Sequence, residues 1–281
     1  MFDLKLASKH HNDHKTVVQI GDEYIGKEEL CLIAGPCAVE SEQQLDEIAK
    51  SISNLGIKFM RGGAYKPRTS PYAFQGLKKE GLKLLKNAST KYGVKIVTEV
   101  LDTTLIEEVY PYADVFQVGS RNGKNYQFLK ELGKIDKPIL LKRGMSSTVN
   151  EWLLAAEYIL LGGNENVILC ERGIRTFDTS LRNTMDIAAI PLAKELSHLP
   201  IIADPSQGTG KRSLVLPLSL AAIAAGADGL MIEVHNEPEE ALSDGFQSMY
   251  LNTMNKFISQ IKAQAKLSNR SLSLNKLPET L

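Results

Sequence analysis

The sequence predicts an α/β fold: a single (β/α)8 TIM barrel with a short N-terminal β-hairpin extension. Three observations carry that prediction. From Cys31 onward, eight short apolar runs alternate with eight longer amphipathic stretches, the pattern of parallel strands covered on both faces by helices. The runs end in glycine or polar clusters, where a barrel places its functional loops. The chain has 281 residues, enough for a barrel, which takes ~250 residues. An open doubly wound sheet would require a glycine-rich dinucleotide turn after an early strand, and the sequence has none.

Taken in order, residues 1–30 read as an N-terminal extension, 31–266 as the barrel and 267–281 as a loose polar tail. His10, His11 and His14 lie in a polar lead, where clustered histidines are expected to be solvated rather than to bind metal. Gly21-Asp22 between 16–20 and 23–25 signals a hairpin that could cap the bottom of the fold. The expected barrel strands are 31–34, 58–60, 95–98, 115–118, 138–141, 167–170, 201–203 and 229–232. The expected helices are 42–54, 75–92, 104–110, 124–132, 149–161, 184–196, 214–225 and 244–266.

Composition narrows the function classes. The formal net charge is +0, so the basic footprint of a nucleic-acid-binding protein is missing. No apolar run approaches the ~20 residues of a membrane helix, and the N-terminus lacks the apolar core of a secretory signal. Cys31, Cys37 and Cys170 are few and widely spaced, which suits free thiols in a reducing, cytoplasmic compartment.

The candidate site gathers at the strand ends. After the second run, Arg61, Lys66 and Arg68 fall within eight positions, with Thr69 and Ser70 beside them. Pro67 and Pro71 stiffen that loop. Converging cations on a preset loop suit a phosphorylated or carboxylated small molecule. Other strand ends add Gly119-Ser120-Arg121-Asn122, Lys142-Arg143-Gly144 and Glu171-Arg172-Gly173-Ile174-Arg175. Arg143 and Arg175 are the weakest members of this cationic half, and the third strand end offers Glu99. The opposite half comes from strands seven, eight and one: Asp204, Gln207, Glu233, Asp244 and Cys37. A thiol with carboxylates is a divalent-metal constellation. Each member has a plainer reading: Cys37 as a buried small hydrophobe, Glu233 as an ion-pair partner, Asp244 as the cap of the last helix. His235 reads as structural.

Together these segments closely resemble 3-deoxy-D-arabino-heptulosonate 7-phosphate synthases, of the short class related to 3-deoxy-octulosonate 8-phosphate synthases. The resemblance runs from about Val17 to the last helix. It rests on Gly35-Pro36-Cys37, Arg61-Gly62-Gly63, Lys66-Pro67-Arg68-Thr69, Gly119-Ser120-Arg121-Asn122 and Leu141-Lys142-Arg143-Gly144, followed by Cys170-Glu171-Arg172-Gly173, Asp204-Pro205-Ser206 and Leu242-Ser243-Asp244-Gly245. It implies condensation of phosphoenolpyruvate with erythrose 4-phosphate, the first step toward chorismate. The octulosonate relatives carry Ala-Asn-Arg-Ser where this chain has Lys66-Pro67-Arg68-Thr69, which favours the four-carbon sugar.

By motif match, Arg61, Lys66, Arg121, Lys142 and Arg172 would hold phosphoenolpyruvate, with Gly119 and Ser120 beside it. Pro67, Arg68 and Thr69 would meet the sugar phosphate. Lys66, Lys142, Glu99 and Asp204 would form the catalytic set, with Glu99 near the attacking water and Lys142 as proton donor. The resemblance also implies a divalent metal of the Mn, Fe, Zn or Co class on Cys, His, Glu and Asp. Cys37, Glu233 and Asp244 match, but Gln207 stands where the histidine belongs. Gln offers only a neutral carbonyl oxygen, a weaker and harder donor than imidazole. Three outcomes compete: a weakly held metal, a metal-free enzyme with Cys37 structural, or departure from the parent reaction. The expectation is a working synthase with a weakened metal site, forming a homotetramer or homodimer and lacking the separate regulatory domain of some relatives.

Overall fold

Residues 18–25 form a hairpin because a glycine can take the turn. β1 (Val18–Ile20) and β2 (Glu23–Ile25) pair antiparallel around a two-residue loop in which Gly21 has φ +63°, the left-handed geometry such loops need. The computed structural model describes residues 4–11 and 13–275.

The chain then alternates strand and helix. β3 (Cys31–Gly35), α1 (Glu42–Asn54), β4 (Phe59–Arg61), α2 (Lys79–Tyr92), β5 (Lys95–Glu99), α3 (Ile106–Val109) and β6 (Val115–Val118) form the first half. α4 (Tyr126–Leu132), β7 (Ile139–Lys142), α5 (Val149–Leu161), β8 (Val167–Glu171), α6 (Ala189–Leu196) and β9 (Ile201–Ala203) follow. α7 (Pro205–Thr209), α8 (Arg212–Ala224), β10 (Gly229–His235), β11 (Met249–Tyr250) and α9 (Met254–Leu267) complete it. Strands β3 to β10 pair in parallel with their neighbours in sequence order, and β10 also pairs with β3. The result is a closed eight-stranded (β/α)8 barrel, with β11 added beside β10.

Two apolar layers hold it. Inside the barrel, Ile33, Phe59, Val97, Leu140, Ile168 and Met231 pack with Val18, Ile20 and Ile25 of the hairpin. The hairpin therefore plugs the bottom, tied there by Lys95–Asp22 at 2.7 Å and Lys58–Glu23 at 2.8 Å. Between strands and helices, a larger cluster contains Phe116, Phe128, Trp152 and Phe257. Strand alternation sorts the residues: Met231 points into the barrel, Ile232 toward the helices, and Glu233 back inside. Helix starts are chemically marked. Ser41 accepts from the Gln44 N–H to cap α1, and Thr148 and Glu151 form a reciprocal capping box on α5.

Several element boundaries differ from the sequence reading. The second helix begins at Lys79, not 75, because Gly76 and Lys78 take φ +87° and +55°. The sixth begins at Ala189, which leaves a long loop after β8. The stretch 244–266 is not one helix. Asp244 has a left-handed backbone, φ +56°, and caps nothing through its side chain; a 3-10 turn, β11 and a second 3-10 turn precede α9. The tail is not loose through 275: Leu30 N–H donates to Ser271 O at 2.8 Å and Asn275 N–H to Gly56 O at 2.7 Å. Residues 276–281 of that tail lie outside the described residues.

Candidate active site

The cationic loop after β4 is built by glycines that let side chains approach backbone. A Cβ on Gly63 would lie 2.8 Å from the Lys66 side chain and from Cys37 O. Without it, Lys66 folds back and donates to Cys37 O at 2.9 Å and Cys37 Sγ at 3.1 Å. A Cβ on Gly35 would collide with the Arg61 carbonyl. Arg61 donates from Nε to Pro36 O at 3.3 Å and reaches Glu233 at 3.0 Å and Asp204 at 3.6 Å. Burial lowers its proton affinity, but Glu233 and Asp204 more than reverse this. Its Nη1 is buried and faces Asp204 Oδ2 at 3.6 Å, an ion-pair contact too long for a hydrogen bond.

Lys142 and Arg143 are adjacent on β7 and at its end, and face opposite ways. Lys142 Nζ sits 2.5 Å from Asp204 Oδ2 inside the barrel. Arg143 pairs with Glu171 at 2.8 Å and Asp186 at 2.9 Å, so it is an ion-paired support of the β8–α6 loop and not part of the mouth. Asp204 caps α7 through the Gln207 N–H at 2.9 Å. Burial would raise the Asp204 carboxyl, yet Lys142 and Arg61 hold it below the usual carboxylate range.

A cavity of about 380 Å³ opens above these strand ends. Its walls include Arg61, Lys66, Arg68, Arg121, Lys142 and Arg172. Pro67, Thr69, Glu99, Gly119 and Ser120 line it as well, and so does Arg175. Gly119 is fitted to Glu99: any Cβ there would strike the Glu99 carboxylate. Burial lowers the proton affinity of Arg172. Asp204, Glu233 and Cys37 are fully buried beneath this surface.

The acid half is just as closely joined. One ligand atom each from Cys37, Glu233 and Asp244 lies within 4.8 Å of the others. Burial, then Glu233, pushes the Cys37 thiol up to about 12. Burial would raise Asp244, but Arg182 and the Gln207 amide hold it at about 2. His235 stays apart, bonded to Gln44 at 3.0 Å and near Glu40 at 3.4 Å.

Sequence reasoning missed several members of the wall, Arg182 and Ser243 among them. Arg182, from the long loop after β8, pairs with Asp244 at 3.1 Å and donates to Gln247 at 3.2 Å. Ser243 accepts from Arg68 Nη1 at 2.6 Å, joining the loop after β4 to the one after β10. Ser243 sits inside a quoted motif, so a signal existed. Arg182 was hidden in a stretch read as the approach to a helix.

The comparisons decide the relationship. The model of the DAHP synthetase I family matches residues 9–270. The phospho-2-dehydro-3-deoxyheptonate aldolase of Thermotoga maritima is 51% identical over 261 residues, 93% of this chain and 77% of that protein. The chain belongs to the DAHP synthetase I family. Among solved members of the DAHP synthase fold, the crystal structure of the Thermotoga maritima enzyme superposes with a TM-score of 0.93 at 48% identity, covering 97% of this chain and 80% of the other. A truncated form of 3-deoxy-D-arabino-heptulosonate 7-phosphate synthase from the same organism gives 0.88 at 45% identity, covering 95% and 98%. The 2-dehydro-3-deoxyphosphooctonate aldolase of Francisella tularensis is 32% identical over 247 residues, 82% of this chain and 90% of that protein.

DAHP synthases are generally metal-dependent, and the Cys37–Glu233–Asp244 trio has the spacing to hold an ion. The fourth position does not fit. Gln207 Nε2 donates to Glu233 Oε1 at 2.7 Å and to Asp244 Oδ2 at 2.9 Å. An N–H group, which cannot ligate a cation, bridges the two carboxylates. The Gln207 carbonyl oxygen faces away, toward Arg172 Nη2 at 3.4 Å.

Proposed function

We propose that this chain condenses phosphoenolpyruvate with erythrose 4-phosphate, forming 3-deoxy-D-arabino-heptulosonate 7-phosphate and phosphate at the first step of aromatic biosynthesis. The observation that carries the reading is the convergence of Arg61, Lys66, Arg121, Lys142 and Arg172 on one cavity. Family membership supplies the reaction. Two multiply charged substrates repel in water; cations on separate strands can hold them together, and such positioning lowers a barrier by ~7–11 kcal/mol.

In this reading those five residues hold the carboxylate and phosphate of phosphoenolpyruvate. Arg61 reaches the cavity from the end of β4. Arg68 and Thr69, across the same cavity, take the sugar phosphate. A carbon–carbon bond forms between the enol carbon and the aldehyde carbon, and the aldehyde oxygen gains a proton. Water near Glu99 adds to the phosphate-bearing carbon. The new hydroxyl becomes the ketone as the carbon–oxygen bond to phosphate breaks and phosphate leaves; of the two protons that water brought, one restores Lys142 and the other goes to phosphate. Lys142 is the proton donor, oriented by Asp204.

The octulosonate relatives give a second reading, a synthase for a five-carbon aldose phosphate. Lys66-Pro67-Arg68-Thr69 favours the four-carbon sugar. No described helix is long and apolar enough to cross a membrane; a cytoplasmic homotetramer or homodimer is the proposed working form. The test is phosphate release and product mass with phosphoenolpyruvate and a panel of four- and five-carbon aldose phosphates. Release with erythrose 4-phosphate and a seven-carbon product is expected. Preference for arabinose 5-phosphate overturns the sugar assignment, and no release with any sugar overturns the reaction.

A further inference from the structure

We infer that Gln207 does the structural work of a metal ion: its amide clamps Glu233 to Asp244, so the acid side of the mouth is complete without a divalent cation. This deepens the proposed function at the same site, but it is read by metal binding and not by turnover.

Each of the four carboxylate oxygens has a donor. Glu233 Oε1 accepts from Gln207 Nε2 at 2.7 Å and lies 3.0 Å from Arg61 Nη2. Glu233 Oε2 accepts from Gln247 Nε2 at 2.5 Å. Asp244 Oδ2 accepts from Gln207 Nε2 at 2.9 Å and from Cys37 Sγ at 3.3 Å. Asp244 Oδ1 lies 3.1 Å from Arg182 Nη1. Every oxygen that could ligate an ion already has a donor.

The third ligand is engaged too. Lys66 Nζ sits 3.1 Å from Cys37 Sγ. Three cations therefore touch the cluster: Arg61 at Glu233, Arg182 at Asp244 and Lys66 at the Cys37 sulfur. A divalent ion would enter beside those positive groups and displace the amide bridge. Buried carboxylates persist when paired and hydrogen-bonded, and here the chain supplies both.

The amide cannot simply turn over to become a ligand. Rotated by half a turn, Gln207 would set its carbonyl oxygen against two carboxylates and its NH2 against the Arg172 guanidinium. Both contacts would be repulsive. The observed orientation satisfies the amide at both ends, and links the acid pair to Arg172 in the cavity wall. An imidazole at this position would present a ring nitrogen where Gln207 presents N–H. One side chain thus separates a metal centre from a hydrogen-bonded clamp.

The experiment is a cobalt(II) titration of the full-length wild-type protein and of Gln207→His, followed by the thiolate-to-cobalt absorption band that reports a Cys37–metal bond. Metal content of the purified wild type is measured alongside. The wild type is expected to carry less than about one-tenth equivalent of metal and to show no thiolate band. Gln207→His is expected to gain the band and to bind cobalt more than about 100-fold tighter, since even the outer partners of a ligand are worth 10–100-fold. Adding Cys37→Ser to Gln207→His should remove the band. Stoichiometric metal or a thiolate band in the wild type would overturn the inference, and that result needs no variant to fold. A folded Gln207→His protein that takes no cobalt would overturn it too, because something other than Gln207 would then exclude the ion. A metal-free wild type that releases no phosphate with any sugar would leave the clamp standing and remove the proposed reaction.

Discussion

Lys142 Nζ, in the cavity wall, lies 2.5 Å from Asp204 Oδ2, which is buried beneath it. Asp204 is thus the anion that lets a lysine and Arg61 sit charged inside the barrel. Asp204→Asn leaves those cations short of a counter-charge and should cost about 3–5 kcal/mol of stability. The effect depends on pH. The Asp204 carboxyl is held below its ordinary value, so its contribution is present above pH ~4 and is lost as pH falls further. Urea unfolding from pH 3 to 7 should show a shallower acid limb for Asp204→Asn than for wild type. Parallel limbs would mean that Asp204 is not the charged partner.

Lys142 and its neighbour separate binding from stability. Arg143 is buried between Glu171 and Asp186, outside the cavity wall. Arg143→Met should destabilise the fold by about 3–5 kcal/mol by stranding Glu171. Phosphoenolpyruvate affinity of the folded protein should change little. Calorimetric binding beside thermal unfolding checks both halves; a large loss of affinity with normal stability would place Arg143 in the mouth.

Arg68 distinguishes the two substrates. Its Nη1 donates to Ser243 at 2.6 Å across the cavity, and it lies in the loop proposed to take the sugar phosphate. Arg68→Ala should raise KM for erythrose 4-phosphate about 10–100-fold, the worth of one charge-assisted bond of about 1.5–3 kcal/mol. KM for phosphoenolpyruvate should stay near wild type. Steady-state kinetics with each substrate varied reads the split, and equal rises in both KM values would contradict the assignment.

Much of this was legible in the sequence, for identifiable reasons. Eight apolar runs became eight barrel strands because burial on both faces leaves no room for polar residues. The cations at their ends converge because a barrel collects those ends on one face. Other features depend on contacts between distant segments. The late start of α2 follows from positive φ at Gly76 and Lys78, and lysine gives no warning of it. The tail docks on Leu30 and Gly56 through backbone hydrogen bonds, which side chains do not announce. The direction of the Gln207 amide is set by Arg172, Glu233 and Asp244 together. Only the misfit at that position could be read in advance.

The buried thiols predict behaviour at the alkaline end. Burial pushes both Cys31 and Cys170 well above the ordinary thiol value. In the unfolded chain each ionises near pH ~8.5, while the native protein keeps the proton. Their contribution is fully present below that pH and is lost as pH rises toward the native value, with a slope of up to about 1.4 kcal/mol per pH unit for each thiol. Urea midpoints between pH 8 and 10.5 should fall less steeply for Cys31→Ala and Cys170→Ala. Identical slopes would show that these thiols ionise in the native state.

In the proposed function, basic side chains from separate strands act as one receptor for phosphoenolpyruvate. Isothermal titration of the wild type and of Arg172→Ala with phosphoenolpyruvate tests it most directly. One bound molecule per chain is expected, with an affinity at least about tenfold weaker without the Arg172 guanidinium. Equal affinity in both proteins, or no binding to the wild type, would contradict it.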